Sequence, residues 1–145
     1  MSSDSSIGAA HRGRCLCGSI HFLVQTDPIW VAHCHCDSCR RATSSAMTTY
    51  AGFLKTDVRF IGETRGVYPS SPGVERSFCT RCGSPLSFAS TQWPDEIHLF
   101  VASFETPGQF VPNAHVHVGE QLPWLHLGDG LPRYFTTSDE GPPLA

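Results

Sequence analysis

Seven cysteines in three tight sets constrain this chain more than any other feature of its sequence. They are Cys15 and Cys17, then Cys34, Cys36 and Cys39, then Cys79 and Cys82. An odd number cannot pair completely within one chain. The spacing also works against disulfides. Residues two apart on an extended strand point to the same side, where two sulfurs grip one ion but close only a strained bridge. Buried small hydrophobes would account for scattered cysteines, not for these groupings. A redox Cys-x-x-Cys belongs at a strand-to-helix junction of a βαβ unit, and no such pattern surrounds Cys79 and Cys82. The spacing points to metal.

Thiolate-rich tetrahedral sites select zinc or iron–sulfur. Gly18 follows Cys17 and Gly83 follows Cys82, each where a knuckle turn calls for positive φ; that is the build of a zinc knuckle. Seven thiolates divide into four and three. Cys15, Cys17, Cys79 and Cys82 can close one tetrahedral site clamping an early strand to a late one, and closed four-thiolate sites are structural. Cys34, Cys36 and Cys39 supply three ligands from one turn and leave the fourth position open, as in a working site. Zinc with three thiolates carries a net negative charge and is a weak Lewis acid. A soft fourth ligand, a substrate thiol bound as thiolate, suits it better than an activated hydroxide. Arg40 and Arg41 follow Cys39 directly. Either they offset the site's charge or hold a substrate carboxylate, or they are solvated surface side chains.

The 145 residues, 40% hydrophobic and 16% charged, suit one folded domain. A net charge of −3 without a Lys/Arg run argues against nucleic acid as the partner. No stretch approaches the roughly 20 apolar residues of a membrane span. The N-terminal residues lack the basic and apolar segments of a secretory signal, so the expected compartment is the cytoplasm, where thiols stay reduced.

Residues 1–13 are expected to be a flexible segment, 14–135 a single zinc-binding β domain and 136–145 a tail. Strand patterns cover 18–24, 31–36, 47–53, 58–62, 74–78, 85–89 and 96–103, with a short helical turn at 37–42 capped by Asp37. Eleven prolines and thirteen glycines leave little room for a long helix. The predicted class is all-β. Tyr68, Ser70 and Ser71 stand in a Pro/Gly-rich loop, as hydroxyl contacts for a ligand or as ordinary turn residues. Trp93, Trp124, Phe100 and Phe110 are read as core. His33, His35, His115, His117 and His126 are read as surface or core residues, because the thiolates already suffice for both sites.

Three segments carry a resemblance: Cys15-Leu16-Cys17-Gly18-Ser19-Ile20, Cys34-His35-Cys36-Asp37-Ser38-Cys39-Arg40-Arg41, and Phe78-Cys79-Thr80-Arg81-Cys82-Gly83-Ser84. Weaker echoes are Tyr68-Pro69-Ser70-Ser71 before Arg76, Pro112 to His115-Val116, and Trp124 followed by Asp129-Gly130-Leu131-Pro132. Together they resemble the glutathione-dependent formaldehyde-activating enzyme family (S-(hydroxymethyl)glutathione synthase-like). The resemblance implies a β-tent fold of two small packed antiparallel sheets with zinc knuckles. It implies a structural zinc on Cys15, Cys17, Cys79 and Cys82 and a catalytic zinc, the more labile of the two, on Cys34, Cys36 and Cys39. It further implies carbon–sulfur lyase chemistry, in which a glutathione-like thiol and formaldehyde, or a related small carbonyl, form or release an S-hydroxymethyl adduct. The rival expectation is a non-catalytic zinc protein, a thiol carrier or a protein-binding scaffold.

Overall fold

The computed structural model describes residues 9–145. Along the chain run β1 (His11–Arg14), β2 (His21–Val24), β3 (Trp30–Cys34), α1 (Asp37–Thr43), β4 (Thr48–Leu54), β5 (Val58–Ile61), β6 (Arg65–Ser71), β7 (Val74–Cys79), β8 (Pro85–Ser90), β9 (Glu96–Phe100) and β10 (His115–Val116). Short 3₁₀ turns fill several of the connections. The class is all-β, as predicted, with one seven-residue helix. No helix among the described residues is long and apolar enough to cross a membrane.

The chain divides into two compact units: Met1–Ile29 with Ala51–Phe110, and Trp30–Tyr50 with Val111–Ala145. In the first unit β1, β2 and β5 form an antiparallel sheet. The apolar run of β2 puts Phe22, Leu23 and Val24 in the interior. Phe104 meets the Phe22 ring edge-on, with centroids 5.0 Å apart, and tilts against Phe110 at 4.2 Å. Such pairs add to the area they bury. Gly13 lets β1 cross this cluster, since a Cβ there would lie 2.2 Å from the Phe22 ring. The strand therefore starts at His11, inside the stretch expected to be flexible; residues 1–8 of that stretch lie outside the described residues.

Strands β6 to β9 of the first unit form an antiparallel meander. The predicted loop around Tyr68 is in fact strand β6, whose register with β7 shifts between Tyr68 and Ser71. Pro69 falls in that shift. Proline cannot donate to a ladder, and sheets accept it at an edge or a bulge; β6, last in its sheet, is such an edge.

The second unit is built on β3 and β10, which pair in parallel, with His33 opposite His115 and Cys34 opposite Val116. This departs from the all-antiparallel sheets expected. The two strands are joined by a long excursion of chain, so no tight hairpin fixes their direction. The pairing extends one residue beyond β3, where the Val116 carbonyl accepts from the His35 N–H at 3.1 Å. Helix α1 follows at once. Its N-cap is Cys36, one residue before the expected Asp37. Asp37 lies in the first turn, where its charge favours the helix N-terminus. Phe100 and Phe110 are buried as expected, whereas Trp124 is 66% exposed.

Candidate functional site

The first unit holds Cys15, Cys17, Cys79 and Cys82, whose sulfurs lie within 4.8 Å of one another. Two like turns deliver them. Gly18, at φ +81°, donates to the Cys15 carbonyl at 3.2 Å, and Gly83, at φ +78°, donates to the Cys79 carbonyl at 2.8 Å. Left-handed backbone at both positions is what glycine accommodates without steric penalty. Ser84 joins the turns, its Oγ accepting from the Leu16 N–H at 2.9 Å.

The sulfur spacing fits one ion. Cys15 Sγ lies 3.7 Å from Cys17 Sγ, and Cys17 Sγ lies 3.8 Å from Cys79 Sγ. Zinc–sulfur bonds of about 2.3 Å in tetrahedral array give sulfur–sulfur edges of about 3.8 Å. Donors surround these sulfurs. Ser19 Oγ stands 3.0 Å from Cys17 Sγ and 3.3 Å from Cys79 Sγ, and Thr64 Oγ1 stands 3.4 Å from Cys79 Sγ. Ser84 Oγ is 3.2 Å from Cys82 Sγ, and the Ile20 and Arg81 N–H groups donate to Cys15 and Cys79. Burial pushes the Cys79 thiol up, but bonds from Ser19, Thr64 and backbone N–H groups outweigh it and bring it down to about 5. Cys82 comes down to about 7, chiefly through Ser84. Donors that favour thiolate favour a bound cation.

The second unit holds Cys34, Cys36 and Cys39, again within 4.8 Å of one another. Cys34 ends β3, Cys36 caps α1 by accepting from the Cys39 N–H at 3.2 Å, and Cys39 sits one turn into the helix. One cap thus folds three sulfurs toward one point. Cys34 Sγ and Cys39 Sγ are 3.7 Å apart. The Tyr50 hydroxyl donates to Cys39 Sγ at 3.2 Å. Cys34 and Cys39 are buried and Cys36 half-buried. Bonds with Cys36 and Cys39, then burial, push the Cys34 thiol far up. Its bond with Cys34 lowers Cys36, but Cys39 and burial prevail and carry it up to about 11. Three crowded thiols in such surroundings ionise together only if a cation offsets their charge.

The two arginines differ. Arg40 Nη1 donates to the His35 carbonyl at 2.7 Å and to the Glu120 carbonyl, and Nη2 reaches Asp37 at 3.4 Å. Its guanidinium braces the loop ahead of α1. Arg41 is exposed, its Nε donating to both Asp37 oxygens at 3.0 and 3.2 Å. Tyr68, Ser70 and Ser71 all lie on β6 of the first unit, and Ser71 lines a cleft with Lys55, Gly73 and Glu75. The cysteine trio belongs to the second unit.

The sequence reading missed the residues that touch the sulfurs. Ser19 and Ser84 carried a signal, because Cys-Gly-Ser occurs twice, at 17–19 and 82–84. Thr64 and Tyr50 carried none, since only tertiary packing brings them to a cysteine.

Residues 10–120 match the family described as glutathione-dependent formaldehyde-activating enzyme. An uncharacterized lyase of Schizosaccharomyces pombe is 37% identical over 81 residues, 56% of this chain and 58% of that protein. The chain therefore matches less than two thirds of this relative's length. A Halomonas elongata protein, provisionally named a glutathione-dependent formaldehyde-activating enzyme, is 27% identical over 125 residues, 79% of each chain. A Rhodobacter sphaeroides crystal structure covers 85% of this chain and 98% of its own, with a TM-score of 0.56 and 20% identity, a likeness of fold. With the family match spanning most of its length, the chain belongs to the glutathione-dependent formaldehyde-activating enzyme family.

Proposed function

We propose that this protein is a zinc-dependent carbon–sulfur lyase that joins a glutathione-like thiol to formaldehyde, or to a related small carbonyl, and releases them in reverse. The observation that carries the reading is the three-sulfur cluster of Cys34, Cys36 and Cys39, folded to one point by the cap of α1. Three thiolates at this spacing suit zinc, and a three-ligand site accepts an exchangeable fourth. Bound zinc would supply the positive charge that keeps a substrate thiol ionised near neutral pH, whereas a free thiol has a pKa of about 8.5.

The chain's own residues prepare that encounter. Cys34 and Cys39 place their sulfurs in a buried setting, and the Tyr50 hydroxyl fixes the direction of Cys39. Arg40 holds the His35 carbonyl, and with it the loop carrying Cys36. Arg41, with most of its guanidinium in solvent, is the group able to meet a substrate carboxylate; planar guanidinium matches carboxylate in a two-bond fork. In the forward reaction the substrate sulfur bonds to the carbonyl carbon. The carbonyl π pair becomes a lone pair on oxygen, and that oxygen takes the proton the thiol gave up. Formaldehyde is reactive enough for water to supply this proton, so no protein acid is assigned.

Exchange spectroscopy tests the reading. With zinc-loaded protein, the S-hydroxymethyl signals of a glutathione and formaldehyde mixture are expected to exchange faster than in buffer, and Cys36→Ser should abolish the difference. Equal rates with and without the protein would reject catalysis and leave the thiol carrier or scaffold.

A further inference from the structure

The cysteines absorb the metal chemistry visible in the sequence, and the histidines were set aside there as ordinary core or surface residues. The fold brings two of them together with a carboxylate. We infer that His33, His115 and Asp129 form a third metal site, independent of the cysteines, that takes a divalent first-row transition-metal ion.

The grouping comes from non-local structure. The parallel pairing of β3 and β10 sets His33 opposite His115, and their rings lie 4.8 Å apart at 31°. The segment after residue 128 is tied to the same strand: the His115 N–H donates to the Pro132 carbonyl and the Tyr134 N–H donates to the His115 carbonyl, both at 2.8 Å. Asp129 is thereby carried to His115, with Oδ2 2.8 Å from His115 Nε2. One ligand atom from each of the three residues lies within 4.8 Å of those of the other two. Two imidazoles and one carboxylate suit zinc, iron, cobalt or nickel, and three protein ligands leave positions open.

Each ligand is oriented from behind, as metal ligands are. Thr49 Oγ1 is 2.8 Å from His33 Nδ1, which leaves Nε2 as the ring atom for a metal. Asp129 Oδ1 accepts from the Leu131 N–H at 3.1 Å. His115 Nδ1 is 2.9 Å from His35 Nε2. For His115 Nε2 to bind an ion, its ring proton must sit on Nδ1 and be donated to His35 Nε2. The His35 proton then stands on the buried Nδ1, which has no hydrogen-bond partner. Coordination has to outweigh that loss, so a competing arrangement is a metal-free chain in which His35 donates to His115 and His115 donates to Asp129. The experiment separates the two.

Protein loaded with two equivalents of zinc fills the thiolate sites first, since these are the softer and more highly charged. Titration with Co2+ alone is then followed by absorption and calorimetry. The expected result is one further equivalent bound, with weak visible bands and no sulfur-to-cobalt charge transfer. Asp129→Asn and His33→Gln should each weaken it by more than the roughly 10- to 100-fold that loss of an outer partner costs, and Thr49→Val should fall within that range. Cys36→Ser, loaded with one equivalent of zinc, should keep the nitrogen and oxygen site intact, so failure here is distinguishable from failure of the proposed lyase activity. No third equivalent, cobalt signals of thiolate type alone, or binding indifferent to both Asp129→Asn and His33→Gln would overturn the site in favour of the metal-free chain.

Discussion

The two cysteine groups share sulfur donors and a close spacing, yet they differ in what surrounds the sulfurs. Around the four-cysteine group, Ser19, Thr64 and Ser84 hydroxyls and the Ile20 and Arg81 N–H groups lie against sulfur. Around the trio, the Tyr50 hydroxyl donates to Cys39 and the Cys39 N–H donates to Cys36. The first group brings four sulfurs together, with Cys79 and Cys82 held below the usual thiol range and Cys17 above it. The second brings three sulfurs together, so an ion bound there would have a fourth position to fill. A closed set of four sulfurs is suited to holding a fold together, and an open set of three is suited to exchange.

The largest expected effect breaks the comparison at its structural side. Cys82→Ala should remove the cooperative thermal transition followed by circular dichroism. Structural zinc binding is worth about 10–16 kcal/mol in small zinc peptides, comparable to or above the roughly 5–15 kcal/mol stability of a whole domain. A melt like the parent's would show that the four-cysteine group does not hold the fold. Cys36→Ser should instead retain a cooperative melt while total zinc falls by one equivalent, because serine keeps the N-cap. Cys36→Ala also loses the cap and should cost about 1 kcal/mol more, read as a lower denaturant midpoint.

Ser19→Ala sharpens the contrast in donors. It removes the hydroxyl nearest two sulfurs of the first group and should cost about 1–2 kcal/mol by denaturant titration, with zinc released to a chelator roughly 10-fold or more faster. Tyr50→Phe, the counterpart at the trio, should lower stability by about 1 kcal/mol and raise the release rate of only the more labile zinc. Equal changes at both ions would erase the distinction. The smallest effect is expected from Arg41→Gln, which should leave the melt unchanged, since exposed ion pairs are worth about 0–1 kcal/mol. It should raise the half-saturating concentration of a carboxylate-bearing thiol but not of a neutral one.

The cysteine groups were legible because their spacing is local: Cys-x-Cys and Cys-x-x-Cys declare themselves within a few residues. The strand at His21–Val24 was legible through its apolar run for the same reason. Strand β6 was not, because Pro69 and the Ser-Ser-Pro-Gly run around residue 71 read as a loop, and only pairing with β7 makes it a strand. The cap of α1 was misplaced by one residue because Asp37 is the better intrinsic cap, yet Cys36 takes the role while presenting its sulfur to the trio. β10 is two residues long and owes its existence to a partner far away in sequence. That pairing sets His33 beside His115, and the chain around Pro132 and Tyr134 carries Asp129 to them, a grouping no local pattern could announce.

Sulfur counting at the zinc edge tests directly whether an ion on the trio takes up a substrate thiol. With both cysteine groups loaded, X-ray absorption should report an average of about 3.5 sulfurs per zinc, from one four-sulfur and one three-sulfur site. Added glutathione should raise that average to about 4 as its sulfur joins the trio's ion. An average that stays fixed on adding thiol would contradict the account, as would a trio already closed by a fourth protein ligand.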